Sequence, residues 1–402
     1  MAWVKPLLQA LEESDRRWQV DLVIWPRLFL SGRETEIARE LPGVFRVLNP
    51  FQSLAFVAGA TAAFSPNFHE TASHTPDNER LSRDFHANPA LPTLVLHLGG
   101  AAALSLRLGR RLGAPVIAYD EHPDRLPAGF DGIYCTDSRD AISGAIPIGN
   151  LLVDSVAALR IRRSLREPGE PGPTVGLMPG SRALQLRHAL TRIGPVVEEV
   201  ARRVSGVRFL IARSPLVDDA MLRKALGTHS GARLEGEGKA TALMTGQGLC
   251  IPLRSREEVL ARVDCLVSTP GTNTGEAAAL GIPHLVIAPF DPSLPLLTGL
   301  PGLIERSPWP GQPLKRWVLR RLTGAMTYYA QANARAGREI TPELQGPLDI
   351  EQVSECLVAL LLDHHRRGRI SRELAGVMGP PGAARRLASA LDHRVRTPEQ
   401  NQ

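Results

Sequence analysis

Residues 167–173 read Glu-Pro-Gly-Glu-Pro-Gly-Pro, and no other run constrains the folding of this chain as strongly. Each proline removes a backbone donor and each glycine adds backbone freedom, so neither a helix nor a sheet ladder continues through it. On both sides of this break the sequence keeps one rhythm. Short β-branched runs alternate with longer stretches of helical periodicity, the pattern of parallel strands covered by helices. The expected parse is an α/β domain over residues 1–166, a linker over 167–173, a second α/β domain over 174–375 and a helical tail over 376–402. A length of 402 residues suits two or three domains.

Ahead of the linker the patterning predicts strands at 20–25, 44–48, 93–98, 115–119, 132–136 and 145–148. Helices are predicted there at 4–13, 54–64 and 101–112. After the linker, strands are predicted at 175–178, 207–212, 248–252, 265–268 and 283–288, with helices at 184–204, 257–263 and 271–280. Residues 65–90, with His69, His74 and His86, are polar and aperiodic and read as a long mobile loop. Those histidines match no standard metal spacing.

Composition excludes several classes. No apolar run nears the roughly 18 residues that a membrane-crossing helix needs. The N-terminus lacks the basic and then apolar stretches of a secretory leader. Cys135, Cys250, Cys265 and Cys356 stand far apart, so buried thiols in a reducing cytosol are expected, with neither a disulfide framework nor a zinc site. The net charge of +6 invites a polyanion, yet only four of the 47 basic residues are Lys, and the arginines are spread along the chain. Aromatic residues make up 5%, few for base stacking, so nucleic acid is not an expected partner.

Three segments could carry chemistry. Pro179-Gly180-Ser181-Arg182 ends a predicted strand and feeds a helix. In open α/β sheets ligands bind at the carboxyl ends of strands, where helix N-termini present free N–H groups. Gly180 permits close backbone approach to an anion, Ser181 donates or caps, and Arg182 adds a bidentate charge. A plain capped turn would read the same. The second segment, Gly271-Thr272-Asn273-Thr274-Gly275-Glu276, also follows a predicted strand. Thr272, Asn273 and Thr274 suit a diphosphate, and Glu276 can accept hydrogen bonds from a ribose diol. A glutamate there also complements a helix N-terminus without any ligand. The third segment is residues 333–344, where Asn333, Arg335, Arg338 and two carboxylates line a charged cleft or form surface pairs.

Taken in order with Ile148-Gly149-Asn150-Leu151-Leu152-Val153-Asp154, these segments resemble the lipid-A-disaccharide synthase family over about residues 145–391. The resemblance implies the GT-B fold, two Rossmann-like domains facing each other across a cleft. It implies an inverting glycosyltransferase with a UDP-sugar (UDP-GlcNAc-like) donor and a lipid or lipid-like acceptor, needing no cofactor and no metal. By the same resemblance Gly180, Ser181, Arg182, Gly271, Thr272, Asn273 and Thr274 would face the diphosphate, and Glu276 would hold the ribose. Backbone near Ile251 would border the uracil. Asn333, Arg335 and Arg338 would sit at the sugar or pyrophosphate, and the last helix, around residues 384–391, would cross back onto the first domain.

The sequence also departs from the family pattern. It opens inside the family's first helix, so the first strand and its glycine-rich loop are expected to be missing. The strand end that carries an aspartate in the family reads Leu96-His97-Leu98-Gly99-Gly100 here. His97 is the candidate base, or a packed core histidine. The family's histidine before Leu151 is Asn150. Two other readings therefore stay open: a UDP-sugar 2-epimerase, which shares the fold, and a non-catalytic nucleotide-sugar-binding relative. The expected place is the cytoplasm, peripheral on the inner face of the cell membrane. The candidate anionic-membrane contacts are residues 54–64 and the Trp- and Arg-bearing stretch 294–322; core helices, or an acceptor-pocket wall for the first, are the alternatives.

Overall fold

A computed structural model of the chain describes residues 2–25, 34–58, 93–138, 144–164, 172–180, 183–214, 217–226, 232–236, 238–289, 327–346 and 349–395. The 65–90 and 294–322 segments, most of the expected linker, Ser181 and Arg182 lie outside these residues. The chain divides into two compact units, Met1–Asp154 with Pro381–Gln402, and Ser155–Pro380.

The first unit opens with α1 (Val4–Glu12), whose Leu7, Leu8 and Leu11 are buried on one face, as a 3.6-residue period dictates. The chain continues through β1 (Val20–Val23), α2 (Glu34–Arg39), β2 (Val44–Leu48), α3 (Pro50–Ala58), β3 (Val95–His97) and α4 (Ala102–Leu112). Next come β4 (Val116–Asp120), β5 (Gly132–Cys135), β6 (Ala145–Pro147) and α5 (Leu151–Ser155). Strands β1 and β2 pair in parallel, and β3-β4-β5-β6 form a parallel sheet in chain order. The predicted 54–64 helix begins earlier, because Asn49 and Gln52 cap each other's backbone N–H groups at 2.8 and 3.0 Å and start α3 at Pro50.

In the second unit α6 (Ala157–Ser164) precedes β7 (Thr174–Met178), α7 (Ala183–Arg203), β8 (Arg208–Arg213) and α8 (Asp219–Leu226). After the short strands β9 (Arg233–Glu235) and β10 (Ala242–Met244) come β11 (Cys250–Ser255), α9 (Arg256–Arg262), β12 (Cys265–Ser268) and α10 (Thr272–Ala279). The unit ends with β13 (His284–Pro289), α11 (Gln331–Ala336), β14 (Glu343–Gly346), α12 (Ile350–Leu362) and α13 (His364–Met378). Its eight strands lie in the order β14-β13-β12-β7-β8-β11-β10-β9. The first six are parallel, and the β9–β10 pair adds antiparallel to β11.

The last described helix, α14 (Ala383–Arg394), belongs to the first unit. Its Ala384, Leu387, Ala388 and Leu391 enter one core with Leu7 and Leu11 of α1 and Ile117 and Tyr119 of β4. Each large aliphatic side chain so buried contributes about 1.5–3 kcal/mol. Polar contacts fix the helix as well. Asp154 accepts the Gly382 and Ala384 N–H groups at 2.5 and 2.6 Å, and Arg386 Nε donates to the Ile148 carbonyl at 2.7 Å. The Ile148–Asp154 motif is thus a clamp on α14, and Asn150 caps α5 through the Leu152 N–H at 2.9 Å.

Candidate functional site

The chain fills one side of the second sheet first, running β7, β8, β11. It then returns to the other side with β12, β13 and β14. The order reverses between β7 and β12, and in open α/β sheets the crevice at such a reversal is where ligands bind. Both glycine-bearing loops open there. The loop after β7 reaches Gly180 with φ +94°, and the loop after β12 reaches Gly271 with φ +142° and ψ −166°, a region open essentially to glycine alone. The Thr269 N–H donates to the Met178 carbonyl at 3.5 Å, which links the two loops. Gly271 caps α10, so Thr272 and Asn273 stand on its first turn. Both Gly271 and Thr272 are exposed. Thr274 is buried; its hydroxyl donates to the Gly271 carbonyl at 2.9 Å and accepts the Gln331 N–H at 3.3 Å. The start of α11 is thereby tied to that of α10.

One turn further along α10 the side chain of Glu276 is 1% exposed. Its Oε1 is paired with the Arg256 guanidinium, while its Oε2 is buried without a hydrogen-bond partner. Burial pushes this carboxyl above its ordinary range, and the Arg256 charge pulls it the other way. A buried carboxylate oxygen with no donor costs free energy, and such groups mark places where something else supplies the hydrogen bond.

Other expected site residues stand elsewhere. Ile251 is fully buried and pairs with Leu243 of β10. Register sets Leu253, two residues later, against Ile211, which faces Leu177 of β7. Ile251 therefore lies toward the amino end of β11, and the residues that reach the carboxyl edge are Ser255 and Arg256. Asn333 is 0% exposed and its amide is saturated. Nδ2 donates to the Thr341 carbonyl at 2.8 Å and to Glu343 Oε1 at 2.7 Å, and Oδ1 accepts the Ile340 and Thr341 N–H groups at 2.8 and 3.0 Å. No donor is left for a sugar, so Asn333 orders its own segment. Arg338, 59% exposed, pairs with Glu373 of α13 at 2.8 Å, the surface-pair alternative. Arg335 lies on α11, half-buried, one turn beyond the Gln331 link.

In the first unit His97 ends β3 with 2% exposure. Its Nδ1 is 2.9 Å from the Ser105 hydroxyl, which also accepts Trp25 Nε1–H at 3.2 Å, and its ring lies against Phe130. This is the packed histidine, not a solvent-facing base. The neighbouring strand supplies what β3 lacks. Register pairs His97 with Ala118, and β4 runs two residues further to Asp120, whose Oδ1 accepts the His122 N–H at 2.8 Å. Sequence reasoning passed over Asp120, although an Asp-Glu pair directly after an apolar strand run was legible. Arg256 is not legible from the strand pattern, which stops at 252 while the strand itself runs to Ser255. Among the described residues no group of three or more metal-binding side chains occurs, and no helix is long and apolar enough to cross a membrane.

No protein-family model matches the chain. Curated relatives do. The lipid-A-disaccharide synthase of Syntrophus aciditrophicus is 27% identical over 252 residues, covering 60% of this chain and 55% of that protein. That of Myxococcus xanthus is 26% identical over 264 residues, covering 63% and 58%. Over these spans the chain is similar to the lipid-A-disaccharide synthases. It spans just over half the length of these two synthases. Solved structures carry the same fold across nearly the whole chain. UDP-GlcNAc 2-epimerase from Neisseria meningitidis, bound to UDP-GlcNAc, matches with a TM-score of 0.53 at 12% identity, covering 98% of this chain and 96% of that one. The MnaA–UDP co-structure from S. aureus matches with a TM-score of 0.50 at 12% identity, covering 98% and 93%. The architecture is GT-B, built of two Rossmann-like units.

Proposed function

We propose that the chain is an inverting glycosyltransferase, a hexosyltransferase that uses a UDP-sugar donor of the UDP-GlcNAc kind and a lipid or lipid-like acceptor. The observation that carries this reading is the buried Glu276, with one oxygen unpartnered, beside the two glycine-bearing loops at the β7/β12 reversal. Glu276 takes a ribose hydroxyl. The N-terminus of α10, with Thr272 and Asn273, and the Gly180 backbone take the diphosphate, a role also assigned to Ser181 and Arg182, which follow Gly180 in the sequence. Thr274, whose N–H and hydroxyl both donate to the Gly271 carbonyl, holds the turn rather than the ligand. Arg335 adds positive charge from α11.

In the reaction the acceptor oxygen forms a bond to the anomeric carbon from the face opposite the diphosphate. The bond from that carbon to the diphosphate oxygen breaks, its electron pair leaves with UDP, and the acceptor proton passes to a base. Helix N–H groups and arginine stabilise the charge that develops on UDP. With His97 enclosed, Asp120 at the end of β4 is the base this reading uses. The protein works in the cytoplasm, peripheral on the inner membrane face.

The test is thermal denaturation with and without UDP, followed by transfer from UDP-GlcNAc to a lipid-acceptor pool. UDP should raise the melting temperature, and Glu276→Ala should remove the rise; no rise in the wild type overturns the reading. Epimer formed from UDP-GlcNAc without acceptor would reassign the chemistry, and binding without turnover on any acceptor would leave a nucleotide-sugar-binding protein.

A further inference from the structure

Arg256 joins elements that the sheet keeps apart. It is the first residue of α9, directly after β11, and Ser255 caps that helix with a reciprocal Glu258 contact. Glu276 lies on α10, after β12, and two strands, β7 and β8, stand between β11 and β12 in the sheet. The Arg256–Glu276 pair therefore reaches across the carboxyl edge above β7, the strand whose loop holds Gly180. The guanidinium is itself fixed from a second side, since Nε and NH2 donate to Glu257 Oε1 at 3.2 and 2.8 Å. One carboxylate anchors the arginine and the arginine anchors the other carboxylate.

A purely structural ion pair does not explain this arrangement. Buried pairs recover their desolvation cost only when the remaining lone pairs are satisfied, and here Glu276 Oε2 is left bare. The geometry that pins Oε1 leaves Oε2 buried and unpaired, one turn into the helix that follows the strand reversal.

We infer that Arg256 is a positioning residue that holds Glu276 so that Oε2 reads a ribose hydroxyl of the nucleotide. The inference rests on the nucleotide-sugar reading above. Arg256 acts through Glu276, and its contribution is selectivity for ribose over deoxyribose. A site whose buried acceptor is left unpaired by a missing hydroxyl discriminates strongly against that analogue.

The experiment measures calorimetric binding of UDP and of its 2′-deoxy and 3′-deoxy analogues to the wild type, Arg256→Met, Arg256→Lys and Glu276→Gln. Circular dichroism checks each fold. The wild type should prefer UDP to at least one deoxy analogue by about tenfold or more. Arg256→Met should bind UDP about as weakly as that analogue, so the preference collapses to within about twofold. Arg256→Lys keeps the charge without the fork and should restore part of the preference. Should Arg256→Met fail to fold, the Lys variant carries the comparison, with an intermediate preference expected. A folded Arg256 variant that keeps the full preference while Glu276→Gln loses it overturns the positioning role. Full preference in Glu276→Gln, or none in the wild type, overturns the ribose assignment and this inference together. A wild type that binds no UDP overturns the nucleotide-sugar reading itself.

Discussion

Asn333 Nδ2 donates to Glu343 Oε1 at 2.7 Å, and the same carboxylate accepts the backbone N–H groups of Tyr329 and Ala330 at 2.8 Å each. The start of β14 thus caps the start of α11, with Asn333 as the bridge. Thr341, next to this bridge, donates its hydroxyl to the His284 carbonyl of β13.

Asn333→Ala should therefore act on stability. It leaves the Ile340 and Thr341 N–H groups and the Thr341 carbonyl without their side-chain partner in a buried setting. The expected loss is about 3 kcal/mol, read as a lowered denaturant midpoint for the second unit. Wild-type stability in the variant would refute the bridging role.

Asp154→Ala should loosen α14 selectively. The cap it removes is worth about 0.5–2 kcal/mol, and hydrogen exchange should quicken across residues 382–394. Amides of β7 and β12, in the other unit, should keep their protection.

His97 and Asp120 should separate when mutated. His97→Asn removes the 2.9 Å contact to Ser105 and should lower the melting temperature without changing the shape of the pH–rate profile. Asp120→Asn should lower kcat by about 10²–10⁴-fold and leave KM for the UDP-sugar near the wild-type value. Steady-state kinetics across pH decides between them.

His284 gives a pH signature. It is fully buried, its Nδ1–H donates to the Ile282 carbonyl at 2.8 Å, and burial lowers its pKa to about 4 against an ordinary 6.5. Between those values the unfolded chain binds a proton that the folded chain does not. The His284 contribution is whole above about pH 6.5 and declines as pH falls toward 4, by at most about 1.4 kcal/mol per pH unit. In His284→Asn this decline is absent, so the stability gap between wild type and variant should narrow on acidification in urea titrations at pH 7 and pH 5.

The alternation of strand and helix was legible because short apolar runs such as Val175–Met178 and Val116–Tyr119 are bounded by turn formers and separated by longer stretches of helical period. The loop after β12 was legible because small residues packed ahead of Glu276 contribute little to a core. What stayed hidden depends on register and on distant partners. The role of His97 is set by Ser105 and Trp25, and Trp25 is 72 residues away in the chain. The resemblance assigns backbone near Ile251 to the uracil, whereas the position of Ile251 along its strand is set by pairing with Leu243, which only register reveals. The role of Asn333 is set by Ile340, Thr341 and Glu343, seven to ten residues further on, where no local pattern announces them. The β9–β10 pair consists of three-residue strands, too short for period-two alternation to register.

The clamp of Asp154 on α14 also sets an order of assembly. Leu387 and Leu391 complete the core around Tyr119, yet the ribosome makes them after every residue of the second unit. The unit that is translated first is therefore finished last, and must wait with an open apolar face while some 225 residues pass. A stop codon near Gly379 would spare every strand of the second sheet and still cripple the first unit.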